Sequence, residues 1–147
     1  AQTGELVFSG YKIFQKDVPA GWERGRTPPQ WFQYGGSMTL AAGVVDTMNI
    51  QVQADAHFEV HKILCRNTNG NIGGGFKCRF TDSGTGKSWS DRAILRDNQF
   101  GTAQRPRVLP FPKLILPNTV IQAELTELTN GSNDIEVVLE GVKRFDL

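Results

Sequence analysis

An all-β fold is what this sequence predicts: a jelly-roll (Greek-key) β-sandwich of about eight strands preceded by an extended N-terminal arm. Three observations carry the prediction. Apolar residues recur at every second position in one segment after another, the period of a strand with one wet and one buried face. The 16 glycines and 7 prolines punctuate these segments with turns, and no segment holds a helical or heptad period. The connection from Ser83 to Val108 is too long for a hairpin loop and predicts a crossover between sheets, as a Greek key requires.

Taken in order, residues 1 to 36 read as the arm and residues 37 to 147 as the sandwich domain. The arm carries Phe8, Tyr11, Phe14, Trp22, Trp31, Phe32 and Tyr34 among glycine, proline and charge, without a sustained period. These seven aromatics are the candidate interface residues, because irregular segments rich in Trp and Tyr suit subunit contacts. Either the arm wraps its own domain or it lies on a neighbour. Gly35-Gly36 is read as the release point between arm and domain. From Met38 the pattern becomes regular: Met48, Ile50, Val52 and Ala54 face one way, and Thr47, Asn49, Gln51 and Gln53 the other. HFEVHKILCRN repeats it with Phe58, Val60 and Leu64 inward, interrupted by Lys62. GFKCRF adds Phe76, Cys78 and Phe80, and a weaker segment, SWSDRAIL, follows the turn DSGTGK.

The stretch Phe100 to Leu125 then joins a loop to two strands through a tight corner at Pro117-Asn118. Pro106, Pro110, Pro112 and Pro117 each remove a backbone donor, so the first of these strands is expected at a sheet edge or broken. In the second, Ile121, Ala123 and Leu125 alternate with Gln122 and Glu124. A turn at Asn130-Gly131 leads to the last strand, with Ile135, Val137, Leu139 and Phe145 on one side. The expected core is Ile50, Val52, Phe58, Phe76, Phe80, Ile121, Leu125, Val137 and Leu139.

Length and composition narrow the function. At 147 residues the chain can bury one core without staples. Lys and Arg number 16 against 15 for Asp and Glu, so no field of one sign attracts nucleic acid or an anionic membrane. No apolar run approaches the roughly 18 residues of a membrane span, and AQTGELVF lacks a basic region followed by an apolar one. The expectation is a soluble, unsecreted chain. Cys65 and Cys78 flank the hairpin-like loop NTNGNIGGG, but Cys65 falls out of step with Phe58, Val60 and Leu64. A bridge would need a bulge to correct the phase, so free thiols are expected.

Candidate chemistry is sparse. His57, Glu59 and His61 form H-x-E-x-H on one strand face, an attractive ligand set for zinc, iron or manganese. Four positions along a strand, however, put the two imidazoles roughly 13 Å apart. GTGKS at Gly84 to Ser88 resembles the end of a phosphate-binding loop, but Thr81 stands where the first glycine belongs and no helix follows. A turn is the better reading. Asn130-Gly131-Ser132 fits the glycosylation pattern and also reads as a turn. No nucleophile elbow or triad can be named. The sequence therefore predicts no enzymatic activity, no catalytic residue, no cofactor and no metal.

Read together, AHFEVHKILC, GGGFKCRFTDSGTGKSWSD, FGTAQRPRVLPFPKLILPNTVIQAELTEL and NDIEVVLEGVKRF resemble the jelly-roll capsid decoration, or cement, proteins of tailed bacteriophages. The resemblance covers about residues 44 to 145 and leaves the arm outside. It implies a virion structural protein assembled in the host cytoplasm, fixed to the capsid exterior and bridging subunits of the major capsid protein. It also implies a homo-oligomer, dimer or trimer, with neither nucleic acid nor membrane as partner. The alternative from a different class is a receptor- or carbohydrate-binding β-sandwich of a phage tail or fibre, with exposed aromatics stacking on sugar rings.

Overall fold

The structure is a computed structural model, and it describes residues 27–67 and 75–147. In chain order its elements are β1 (Gln30–Leu40), β2 (Val45–Gln51), β3 (His57–Asn67), β4 (Phe76–Asp82), β5 (Lys87–Ser88), β6 (Ile94–Leu95), α1 (Arg96–Gln99), β7 (Arg107–Ile115), β8 (Val120–Glu127) and β9 (Asn133–Arg144). One sheet has the order β1-β9-β3-β7; the other runs β2-β8-β4-β5, with β6 also pairing β4. All strand pairs are antiparallel. Each connection between successive long strands passes from one sheet to the other. That winding is the jelly roll, and the all-β sandwich expected from the sequence is what forms.

The core lies between the sheets, where the alternation puts it. All nine expected core residues are buried, at 1% exposure or less. Tyr34, Leu40, Ile115, Ile135 and the two cysteines join them. Phe80 is central, with Trp89 at 4.9 Å and Phe100 at 5.6 Å between ring centroids. The crossover expected between Ser83 and Val108 does change sheets. It first extends the second sheet as β5 and β6, then crosses through α1 and Gly101 to β7. Pro117-Asn118 makes the corner into β8, with Asn118 at φ 57°. The GTGKS segment is the turn from β4 to β5, in which the Asp82 carboxylate accepts the Gly84 and Thr85 N–H groups.

Several readings need correction. Residues 30–36 are not arm: they form the first half of β1, paired without a break from Gln30–Lys143 to Leu40–Asn133. The residues hid this because Gly35-Gly36 interrupts the alternation mid-strand. Gly36 is there for a packing reason, since a Cβ would lie 2.7 Å from the Met48 sulfur across the sandwich. The NTNGNIGGG segment, most of which lies outside the described residues, does not join a hairpin, because β3 and β4 belong to different sheets.

The third correction is a bulge. The register of β3 shifts between Val60 and Lys62, so His61 is an extra residue and every later side chain changes face. Ile63 and Cys65 turn into the core, while Leu64 turns outward and is buried beneath Gly101 instead. Gly141 faces Val60 just before the shift. A Cβ at Gly141 would sit 1.9 Å from the Glu59 carbonyl oxygen, so the bare backbone lets β3 lean in where it bulges.

Candidate functional site

Three features of the sandwich stand out. The first is the edge strand β7. Arg107 and Val108 pair with Ile63 and Lys62, and Lys113 to Ile115 pair with Val60 to Phe58. Leu109 to Pro112 have no partner in β3; they stand off opposite the β3 bulge. The strand is both at an edge and broken, as its prolines demand. Leu109 and Ile115 anchor it to the core, while Val108, Phe111, Leu114 and Leu116 are exposed. Phe111, held between Pro110 and Pro112, is 83% exposed, the most open of the large apolar side chains among the described residues. Two flanking prolines fix φ on either side, so the ring is presented on a stiff backbone.

The second surface is an open cleft of about 710 Å³ on the outer face of the first sheet, roofed by residues 96 to 104. Its walls bring Gln33 of β1, Arg66 and Asn67 of β3, Glu136 and Glu140 of β9, and Arg96 of α1 around an apolar floor of Leu64 and Val138. Gln33 donates to Glu140 at 2.6 Å. Asn67 donates to Asn133 at 2.7 Å, yet its own buried Oδ1 has no partner among the described residues. Trp31 lies on the same face of β1, 54% exposed, with the Lys62 ammonium 5.7 Å from its ring centroid.

The third feature is a pair of buried polar groups at opposite ends of the sandwich. Glu127, at 3% exposure, ends β8 in the inward phase of Ile121, Ala123 and Leu125. One carboxylate oxygen accepts the Gly43 N–H at 2.8 Å and the Asn130 N–H at 3.1 Å; the other accepts from Thr129 N–H, Thr129 Oγ1 and Asn133 Nδ2. Burial pushes its pKa up, but these donors outweigh it and lower the value from 4.5 to about 2. The carboxylate thus ties two loops together. At the other end Lys143 is buried on β9, donating to Asp55 at 2.8 Å and Gln53 at 2.5 Å beneath the Phe32 ring, whose centroid is 4.0 Å away. The hydrogen bond from Lys143 holds the Asp55 carboxyl below its ordinary range.

The predicted interface aromatics divide accordingly. Phe8, Tyr11, Phe14 and Trp22 lie outside the described residues. Tyr34 is not an anchor for a partner: it is 6% exposed, packs edge-on against Phe58 at 4.7 Å, and its hydroxyl accepts the Gln53 N–H. Phe32 is half-buried over Lys143. Of the three aromatics that can be placed, only Trp31 is open to a partner.

Within the H-x-E-x-H segment, Glu59 is the centre of a hydrogen-bonded network. His61 Nε2 lies 2.7 Å from Glu59 Oε1, and Glu59 Oε2 accepts from Arg144 at 3.0 Å. Arg144 also meets Asp146 at 2.8 Å, a contact that raises its pKa. Among the described residues no three His, Cys, Asp or Glu side chains converge as a metal cluster would. Cys65 and Cys78 are both buried and unbridged. Burial raises both thiol pKa values.

Sequence reading missed Phe111, the cleft and Glu127. Phe111 had a signal in PFP, a large ring between two residues that cannot join a ladder. Glu127 had one too, a carboxylate at the inward phase just before a turn. The cleft had none, because it depends on where residues 96 to 104 cross the sheet. No family model, curated protein or solved structure matches the chain.

Proposed function

We propose that this chain is a virion structural protein, a capsid decoration or cement protein that binds the outside of a tailed phage's major capsid shell and bridges its subunits. The observation that carries the reading is the apolar edge at Val108, Phe111, Leu114 and Leu116. Four large exposed apolar side chains along an edge strand and the residue after it are more than solubility favours, and they mark a contact surface. Prolines on both sides of Phe111 limit the entropy lost on docking, which suits a part whose binding rests on shape. The near-balanced charge of the chain fits attachment by contact rather than by a field of one sign. The sequence resemblance supplies the shell as partner.

The test is co-sedimentation of the full chain with undecorated shells assembled from the major capsid protein of the same virus. The parent should load the shells to saturation, and Phe111→Ser should lower occupancy at least ten-fold while its melting curve stays with the parent. Equal occupancy by Phe111→Ser would overturn the reading. A second reading, a receptor- or carbohydrate-binding module, is favoured by the amides and carboxylates of the cleft, with Trp31 exposed on the same sheet face. Saturable glycan binding that is lost in Gln33→Ala, without any binding to shells, would favour that module instead.

A further inference from the structure

A sandwich has open edges, and an open edge invites another strand unless something blunts it. Three of the four edges here are blunted. On β7, Pro110, Pro112 and the stand-off break the ladder. On β2, the Asp46 carboxylate takes the Thr47 N–H at 2.7 Å. At the far side of the second sheet, β5 and β6 are two residues each. The fourth edge, β1, carries none of these devices. It is 11 residues long, QWFQYGGSMTL, without proline, charge or bulge, and its register with β9 is continuous. Among the described residues nothing pairs with its other side.

We propose that β1 is the self-association edge of this chain: the β1 strands of two copies pair antiparallel about a two-fold axis at Gly35, merging two four-stranded sheets into one. A strand that pairs with itself sets each residue against a near neighbour in its own sequence, so any charge close to the axis would meet its like. The strand has no charge at all. Gly35 is its midpoint, and pairing there keeps each face in register, with Gln33 opposite Ser37, Phe32 opposite Met38 and Trp31 opposite Thr39. Exposed Trp31 is then flanked by the small side chains of the other copy. Gly35 leaves the axis open: among the described residues a Cβ on it would meet only Val137 O at 3.5 Å and Val138 Cγ2 at 3.7 Å, ordinary contacts, so a residue other than glycine is accommodated there. The inference stands apart from the capsid reading, and failure to bind shells leaves it intact.

The experiment is sedimentation velocity of the full chain at about 100 μM, a concentration that saturates any Kd of ~1 μM, together with cysteine cross-linking. The parent should sediment as two 16.3 kDa chains. Gly35→Cys should give a covalent dimer on mild oxidation. Ser37→Cys alone should not, because the two copies of residue 37 lie about 13 Å apart in this register, too far for a disulfide. Gln33→Lys/Ser37→Lys places lysines opposite each other while Glu140 and Glu136 balance them at home, and it should weaken dimerisation at least ten-fold. If that variant does not fold, the cross-linking pattern decides. A monomeric parent, a trimer, a dimer indifferent to the lysines, or cross-linking at Ser37 in preference to Gly35 would each overturn the proposal. A monomer whose β1 amides are all protected from exchange would show that the chain covers this edge itself.

Discussion

Substituting alanine for Gly141 should destabilise the protein far more than a one-carbon change suggests. Gly141 sits in β9, buried between β1 and β3, and the missing Cβ would lie 1.9 Å from the Glu59 carbonyl oxygen, 2.8 Å from its carbon and 3.0 Å from Val60 Cα. All three atoms are backbone, so no rotamer can relieve the overlap. The β3 backbone must retreat by about 1 Å, at the residue pair that sets the bulge, in an interior packed as densely as a crystal. Overpacking of this kind costs about 1–3 kcal/mol and sometimes more; with backbone on both sides, about 3 kcal/mol is the expectation. With a urea dependence of about 2 kcal/mol per molar, the midpoint should fall by about 1.5 M with an unchanged slope. The sign is informative, because Gly to Ala at an unstrained site raises stability by about 0.4–1 kcal/mol through the unfolded chain. Gly131→Ala, where the nearest atom is 3.8 Å away, provides that control. If Gly141→Ala melts with or above the parent, the close approach of β3 to β9 is wrong, and with it the account of the bulge.

Acid should unfold the protein through Glu127. Its folded pKa is depressed from 4.5 to about 2, so its contribution is full above about pH 4.5 and disappears as the pH falls toward 2. Urea midpoints measured from pH 6 to 2.5 should drop less steeply in Glu127→Gln, and an identical pH profile in that variant would remove Glu127 from the explanation. Both thiols should resist alkylation in the folded protein, since burial disfavours the thiolate, and both should react fully in denaturant; mass spectrometry showing no label in denaturant would mean a bridge. Deleting residues 1–26 should leave a folded sandwich by circular dichroism, whereas deleting 1–36 removes half of β1 with Tyr34 and should lower the melting temperature by at least about 10 °C. Equal melting of the two truncations would contradict the placement of β1 in the sheet.

The strand faces were readable wherever alternation was unbroken, as in β2, β4, β8 and β9, because a two-residue period leaves one assignment per strand. The reading failed where a backbone event intervened. One extra residue at His61 reversed Leu64 and Cys65, and no side chain announces a bulge. The thiols are unbridged as expected, yet the phase argument behind that expectation does not hold, since Cys65 faces the core. Gly35-Gly36 reads as punctuation because glycine inside a strand normally weakens it; only the Met48 side chain across the sandwich shows why residue 36 is glycine. Of the interaction surfaces, the prolines of β7 gave the edge position but not the exposed ring between them.

The order of strands also bears on how the chain is made. β8 lies between β2 and β4, and β9 lies between β1 and β3, so the two strands synthesised last occupy interior places in the two sheets. Apart from the short contacts of β5 and β6 with β4, no strand among the described residues pairs with a near neighbour in sequence. A nascent chain that has reached Ile115 can form, among the described residues, only the interrupted β3–β7 ladder and the short pairings of β4, with Phe58, Phe76 and Phe80 still lacking most of their cover. Folding must wait for residues 120 to 144 to leave the ribosome and then proceed through long-range closures, which places it in the slow, millisecond-to-second regime of all-β domains. Until then those rings are open to contact with another chain's, the aggregation hazard that goes with late closure.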